Sequence, residues 1–200
     1  MIEPASATIV QQYGRDPFLV LVSCILSLRT KDTVSLPASQ RLFEYAKTPQ
    51  QMLSFSISAI EKLIYPTGFY RQKTKQILKI SELLLKKYQG TVPHTKQELM
   101  DLPGVGPKTA ALVLSEGFEI PAICVDTHVH RISNRLGIVH TSSVEETEKE
   151  LMGLLPKKYW SEYNKLMVMW GQNICVPISP KCSECPLLPL CPQVGVKRHR

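Results

Sequence analysis

Cys175, Cys182, Cys185 and Cys191 have types and spacing that could do chemistry: they stand as C-x6-C-x2-C-x5-C near the end of a 200-residue chain. Pro177, Pro180, Pro186, Pro189 and Pro192 keep the intervening backbone out of regular helix, so the sulfurs can converge. Four thiolates in one loop can hold a tetrahedral zinc or an iron-sulfur cluster, and spacing leaves that choice open, although structural zinc more often sits between two close pairs. Disulfides are the weaker explanation. The opening stretch MIEPASATIVQQYGRDPF has an early acid at Glu3, no basic n-region and no apolar run of signal-peptide or membrane-span length. A cytoplasmic protein without a membrane partner is expected, and there thiols stay reduced.

A second group of reactive residues lies in ELMDLPGVGPKTAALVLSEGF and in VDTHVHRISNRLG. The first reads as a short helix, a turn over 103–106 and a second helix beginning at Pro107. Gly104 and Gly106, on either side of Val105, leave backbone N–H groups facing outward at a helix N-terminus, which suits a nucleic-acid phosphate; a tight turn with glycines for steric reasons alone accounts for them equally well. Lys108 falls in the first turn, where the helix dipole disfavours a cation. An amine that must attack carbon gains there, because the dipole and partial burial both raise its neutral fraction, whereas a solvated lysine touching phosphate is the alternative. Asp126 reads as the N-cap of a helix whose apolar stripe is Val129, Ile132 and Leu136. Capping is one reading of it. The helix over 107–117 rises roughly 15 Å and the loop over 118–125 can span more than about 20 Å, so Asp126 can return beside Lys108. There it could take the amine's proton or stabilise a cationic transition state. His128 and His130 do not share a helical face and are read as core or DNA-facing residues, not a metal pair; Cys24 and Cys124, in apolar surroundings, are read as buried thiols.

The elements that must position these groups are helical throughout. DPFLVLVSCILSL opens with Asp16 as N-cap and Pro17 at the first helical position, then runs apolar enough to be a central buried helix. KTKQILKISELLLKKY spaces Ile77, Ile80, Leu84 and Tyr88 at a helical period. Further helices are expected over 36–46, 57–64, 144–154 and 161–173, and no segment reads as a sheet strand. With 44% hydrophobic and 20% charged residues the chain is expected to pack as an all-α globule. Its net charge of +7 suits a polyanionic partner. The closing KRHR reads as a free basic tail.

LPGVGPKTA, VDTHVHR and the four-cysteine loop occur in the order and separation of the endonuclease III family, the helix-hairpin-helix DNA glycosylases with an iron-sulfur cluster, and the chain resembles that family over 17–191. The resemblance implies a [4Fe-4S] cluster on Cys175, Cys182, Cys185 and Cys191, Lys108 as Schiff-base nucleophile and Asp126 as its carboxylate partner. TGFYRQK resembles the family's wedge loop, with Phe69 entering the base stack; Gly104, Val105 and Gly106 of the hairpin, Arg29 and Lys181 are the other DNA contacts. The implied fold is a six-helix barrel domain over 17–131 containing the hairpin, an iron-sulfur domain formed by 1–16 and 132–200, and a DNA cleft between them. The implied function is that of a bifunctional base-excision-repair enzyme. It removes oxidised pyrimidines from double-stranded DNA and cleaves 3′ to the abasic site by β-elimination, as a monomer in the cytoplasm of a bacterial or archaeal cell.

LSLRTKD departs from the family at Arg29, where a glutamine usually fills the gap left by a flipped base, while Asp32 is retained. Arginine can pair bidentately with guanine, so a mismatch glycosylase acting on thymine or uracil opposite guanine is the alternative enzyme. A noncatalytic helix-hairpin-helix binding module would account for the glycines and the charge but not for Lys108 with Asp126. An electron carrier would account for a cluster but not for the hairpin.

Overall fold

The structure is a computed structural model and describes residues 5–200. Among the described residues there is no strand, and no helix is long and apolar enough to cross a membrane. Packing divides the chain into two compact units, Ala5–Ile120 and Pro121–Arg200. Helix α1 (Ala5–Tyr13) packs on α2 (Pro17–Ser27) and α3 (Asp32–Phe43), while α9 (Thr127–Arg135) packs on α10 (Val144–Leu154) and α11 (Trp160–Asn173). The packing boundary therefore falls at Ile120 and Pro121, with α1 in the first unit, whereas the sequence suggested a first domain over 17–131. Residues 1–4 of the expected iron-sulfur domain lie outside the described residues.

The first unit is built around α2. Asp16 Oδ1 accepts from the N–H groups of Phe18 (2.8 Å) and Leu19 (3.1 Å), and Pro17 occupies the first helical position, where no intrahelical donor is needed. Every residue from Phe18 to Leu26 is buried, because α1, α3, α6 (Tyr70–Tyr88) and α8 (Pro107–Leu112) all pack against this one helix. Each large side chain so buried contributes about 1.5–3 kcal/mol, which makes α2 the central packing element of the unit. Helix α3 begins at Asp32, four residues before the expected start at 36: the Lys31 carbonyl accepts from both Val34 and Ser35 and starts the helix ahead of Pro37, which is carried inside it. Helices α4 (Pro49–Leu53), α5 (Ile57–Ile64) and α7 (Lys96–Met100) are capped by the side chains of Thr48, Ser56 and Thr95. In α6 the predicted stripe is buried at Ile77, Ile80 and Leu84. Beyond α8 the chain continues as a π-helical turn over Val113–Gly117, the kind of widening that turns side chains off the α period.

The second unit has its own core, formed by Ile123, Val125, Val129, Val139, Leu151 and Trp160. Asn164 Nδ2 donates to the buried Cys124 carbonyl at 2.6 Å, tying α11 to the strand-like entry of α9. After α11 two short 3-10 turns, Cys182–Glu184 and Leu188–Leu190, carry the cysteine loop. The final residues are not the free tail expected from KRHR. The Arg200 N–H donates to the Pro180 carbonyl at 2.9 Å and the Ser183 N–H donates to the Arg200 carbonyl at 3.1 Å, because a proline-rich loop leaves backbone groups that a neighbouring segment can satisfy.

Candidate functional site

The hairpin of the first unit joins α7 to α8. Leu99, Leu102 and Val105 are buried and anchor it from inside. The Val105 N–H donates to the Leu102 carbonyl at 3.1 Å, so it closes the turn. Val105 is the buried one of the three hairpin residues singled out from sequence, and exposed Gly104 and half-buried Gly106 flank it. The fold constrains the two glycines differently. Gly104 has φ +69°, and a Cβ there would run into the Gln76 amide, which itself donates to the Pro103 carbonyl at 2.8 Å and pins the turn to α6. Gly106, the N-cap of α8, has extended φ and ψ, and a Cβ there would meet nothing within 4 Å. Neither backbone conformation nor packing within the fold requires glycine at that position. Lys108 stands one residue beyond Pro107 in the first turn of α8 and is exposed, so the partial burial expected of it is not supplied by the protein alone.

Arg29 and Phe69 are brought together in the same unit. Arg29 follows α2, Phe69 precedes α6, and the Arg29 guanidinium lies 4.6 Å from the centroid of the Phe69 ring. Both residues take left-handed backbone (φ 52° and 58°), which only strong surroundings maintain in a residue other than glycine. Phe69 is 55% exposed, an apolar ring held out into solvent. Arg41 supports its loop from behind, donating to the carbonyls of Leu63 (3.0 Å) and Tyr65 (2.6 Å).

In the second unit Asp126 is the N-cap of α9: Oδ1 accepts from the N–H groups of His128 (2.8 Å) and Val129 (3.0 Å). The carboxylate is therefore held rigidly, as capping demands. His130 bonds Thr147 at 2.7 Å while His128 lies against Arg131, two different surroundings, as expected of residues on different faces. Lys108 and Asp126 belong to different units.

The four loop cysteines line a single cavity, whose wall also includes Ile132, Leu136, Trp170, Ile174 and Val196. None of the chain's cysteines is paired in a disulfide, and Cys24 and Cys124 are buried as expected. Among the described residues no group of three or more His, Cys, Asp or Glu side chains is arranged to hold a metal ion directly. The four sulfurs instead border a mostly apolar space. Burial pushes the Cys182 thiol up, and the sulfurs of Cys175, Cys185 and Cys191 add to that while Arg135 opposes it. Two arginines of α9 hold this loop, and sequence reading missed both. Arg131 donates to the Cys175 carbonyl at 2.9 Å, and Arg135 reaches Cys175 Sγ (3.3 Å), the Val176 carbonyl (2.8 Å) and the Pro177 carbonyl (2.7 Å). Their signal was present in the sequence as two arginines one turn apart on the helix that Asp126 caps. Lys181 lies in the loop itself, with Glu184 at 4.0 Å.

The first unit thus carries a glycine hairpin leading into a lysine-bearing helix and an exposed aromatic tip, and the second an aspartate that caps α9 and a cavity lined by four cysteines. Residues 22–157 match the HhH-GPD superfamily of base excision DNA repair proteins. Endonuclease III of Thermotoga maritima is 48% identical over 190 residues, covering 92% of this chain and 89% of that protein, and endonuclease III of Bacillus subtilis is 41% identical, covering 92% and 84%. A solved endonuclease III trapped as a covalent intermediate with DNA superposes with a TM-score of 0.83 at 40% identity, covering 94% of this chain and 91% of that one. The chain belongs to the endonuclease III family. It is accordingly a base-excision-repair DNA glycosylase with abasic-site lyase activity. The likeness to a thermostable thymine-DNA glycosylase is lower, with a TM-score of 0.79 at 26% identity, which favours this function over the mismatch alternative. A noncatalytic binding module and an electron carrier give way to membership of this enzyme family.

Proposed function

We propose that Lys108 is the nucleophile of this glycosylase and lyase, that Asp126 is its carboxylate partner, and that the substrates are oxidised pyrimidines and abasic sites in double-stranded DNA. The Lys108 amine attacks the sugar carbon that carried the base, the base departs, and the resulting imine undergoes β-elimination on the 3′ side. The exposure of Lys108 in the first turn after the hairpin carries this assignment. An amine that must reach an extruded nucleotide has to be open in the free protein, and the incoming DNA provides the desolvation that favours its neutral form. The carboxylate of Asp126, kept in one orientation by its two cap bonds, suits proton transfer or stabilisation of the developing cation.

Gly104 and Gly106 offer backbone N–H groups to phosphate, and Phe69 with Arg29 enters the stack where the damaged base leaves. Cys175, Cys182, Cys185 and Cys191 would hold a [4Fe-4S] cluster, which would supply a structural cross-link for their loop, and Lys181 of the same loop is a candidate for contact with the DNA backbone. The working form proposed is a monomer in the cytoplasm of a bacterial or archaeal cell; Thermotoga maritima and Bacillus subtilis have endonuclease III relatives of this chain.

Incubation with abasic-site duplex under borohydride tests the assignment. The unaltered protein should be trapped as a covalent adduct and Lys108→Gln should not, while Lys108→Gln still binds the duplex. Trapping of Lys108→Gln at the full rate would move the nucleophile to another residue.

A further inference from the structure

The charge at Lys73 is not accounted for by anything above. The residue lies in the first turns of α6 and is only 4% exposed, yet among the described residues it makes no ion pair with a carboxylate. Its ammonium donates instead to the Leu26 carbonyl (2.7 Å) and to Thr30 Oγ1 (2.8 Å). Leu26 is in the last turn of α2, where helix geometry leaves carbonyls without intrahelical donors and the dipole favours a cation. Thr30 makes three bonds with one hydroxyl: it accepts from Lys73 and from the Gly68 N–H (3.1 Å), and donates to the Leu28 carbonyl (3.3 Å). A hydroxyl has one proton and two lone pairs, so this one is fully used.

The residues joined at this point flank Arg29 on one side and Phe69 on the other. Leu28 and Thr30 enclose Arg29; Gly68 directly precedes Phe69. The two turns touch as backbone, since a Cβ on Gly68 would stand 3.0 Å from the Arg29 carbonyl oxygen. Two left-handed residues, a ring and a guanidinium stacked on it, thus form the visible surface of a junction whose underside is one buried ammonium and one hydroxyl. Burying an unpaired charge is costly, and an apolar side chain of the same length would fill the space without that cost. What an apolar side chain cannot do is bond the end of α2 and the Arg29 turn at once.

We propose that Lys73, acting through Thr30, is a positioning residue that makes the Arg29 turn and the Phe69 turn one rigid tip for opening the base stack. This role rests on the glycosylase function proposed above. A wedge transmits force to stacked bases only if its two halves do not fold away from each other; a hinged tip spends the encounter on its own rearrangement. Extruding an intact but damaged base demands more of the tip than entering at an abasic site, where there is no base to unstack. Lys73 should therefore matter for excision and much less for the lyase step.

Lys73→Met removes both bonds at nearly constant volume, and Thr30→Val removes the hydroxyl at constant shape. Each is compared with the unaltered protein in single-turnover excision of an oxidised pyrimidine, in borohydride trapping on a preformed abasic site, and in thermal melting. Excision is expected to fall about ten-fold or more while trapping changes less than about three-fold, since a stack that is harder to open by a single pair contact loses about a factor of ten. Lys73→Arg, which keeps a cationic donor, should recover part of the excision rate. If Lys73→Met does not fold, Thr30→Val carries the comparison alone. An excision-to-trapping ratio equal to that of the unaltered protein in the folded variants overturns the positioning role, as does a parallel fall of both activities with the melting temperature. Absence of trapping in the unaltered protein with excision intact overturns the Schiff-base role of Lys108 and not that of Lys73, whereas absence of excision overturns the glycosylase function on which the role of Lys73 rests.

Discussion

Gly104→Ala and Gly106→Ala, two residues apart in one hairpin, should separate folding from DNA contact. At Gly104 the left-handed backbone costs an L residue about 1–2 kcal/mol, and the added Cβ displaces the Gln76 amide from the Pro103 carbonyl. Losing that hydrogen bond adds about 1 kcal/mol, for a total near 2–3 kcal/mol and a melting temperature lower by roughly 5–10 °C in a chain of this length. At Gly106 the backbone is already extended and nothing lies within 4 Å of the new methyl group. Alanine is a poorer N-cap than glycine but narrows the unfolded ensemble, and these effects of at most about 1 kcal/mol oppose each other. The melting temperature of Gly106→Ala should stay within about 2 °C of the original. Its methyl group nevertheless occupies the open space that the proposed phosphate contact uses. Loss of one charge-assisted contact of about 1.5–3 kcal/mol weakens DNA binding by roughly 10- to 100-fold. The loss should be equal for intact and abasic duplexes, because phosphate contacts carry no sequence information. Fluorescence anisotropy at fixed salt measures the affinities, and scanning calorimetry the stability. Unchanged affinity in Gly106→Ala would refute the hairpin as a phosphate site, and a loss limited to one duplex would refute the backbone mode of contact.

Asp126→Asn should leave the fold nearly as stable, since asparagine caps helices as well as aspartate does, while base excision drops by about two or more powers of ten; excision at the original rate would reduce Asp126 to a cap. Purified protein should be yellow-brown with about four irons per chain, and a colourless protein carrying one zinc would exclude the cluster. Arg29→Gln should flatten a preference for guanine opposite the lesion, worth about five-fold from one bidentate contact, without removing lyase activity; equal rates opposite guanine and adenine in the unaltered protein would make Arg29 a gap filler. Burial lowers Lys73 from 10.5 to about 8, so between those values the folded state holds fewer protons than the unfolded one. Stability relative to Lys73→Met should therefore rise with pH across that window by up to about 3 kcal/mol, and a flat difference in urea titrations from pH 7.5 to 10 would show that the ammonium is not desolvated as its surroundings suggest.

Residues that face outward to do chemistry were legible because their neighbours in sequence are also their neighbours in space. Gly104 to Lys108 forms one turn and one helix start, and the cysteines share one loop, so spacing alone described the local geometry. Helices with strong caps and apolar stripes, such as α2, α5 and α10, were read to their ends for the same reason: Asp16, Ser56 and Ser143 act on donors two or three residues away. Helix α3 was misread at its start because its first turn is held by the Lys31 backbone, which has no side-chain signature, while Pro37 supplied a misleading one.

What spacing could not reveal are bonds made by long side chains across the fold. Lys73 reaches a carbonyl 47 residues back and a hydroxyl 43 residues back, Arg135 reaches 40–42 residues forward, and Gln76 reaches 27. In sequence each is an ordinary polar residue on a helix, with nothing to set it apart from the solvated lysines and arginines around it. In the fold each supports a functional loop from beneath: Lys73 the Arg29 and Phe69 tip, Gln76 the glycine hairpin, Arg135 the first cysteine. The same division explains why the free tail was mistaken. Charge at 197–200 indicated solvation of the side chains, which holds, but the Arg200 backbone had two bonding groups of its own, and the proline-interrupted loop at Pro180 to Ser183 had the matching acceptor and donor. Side-chain chemistry is written in the sequence residue by residue, whereas the hydrogen-bonding needs of backbone at loop ends become visible only when the loops are brought together, and it is at those ends that Lys73, Gln76 and Arg135 act.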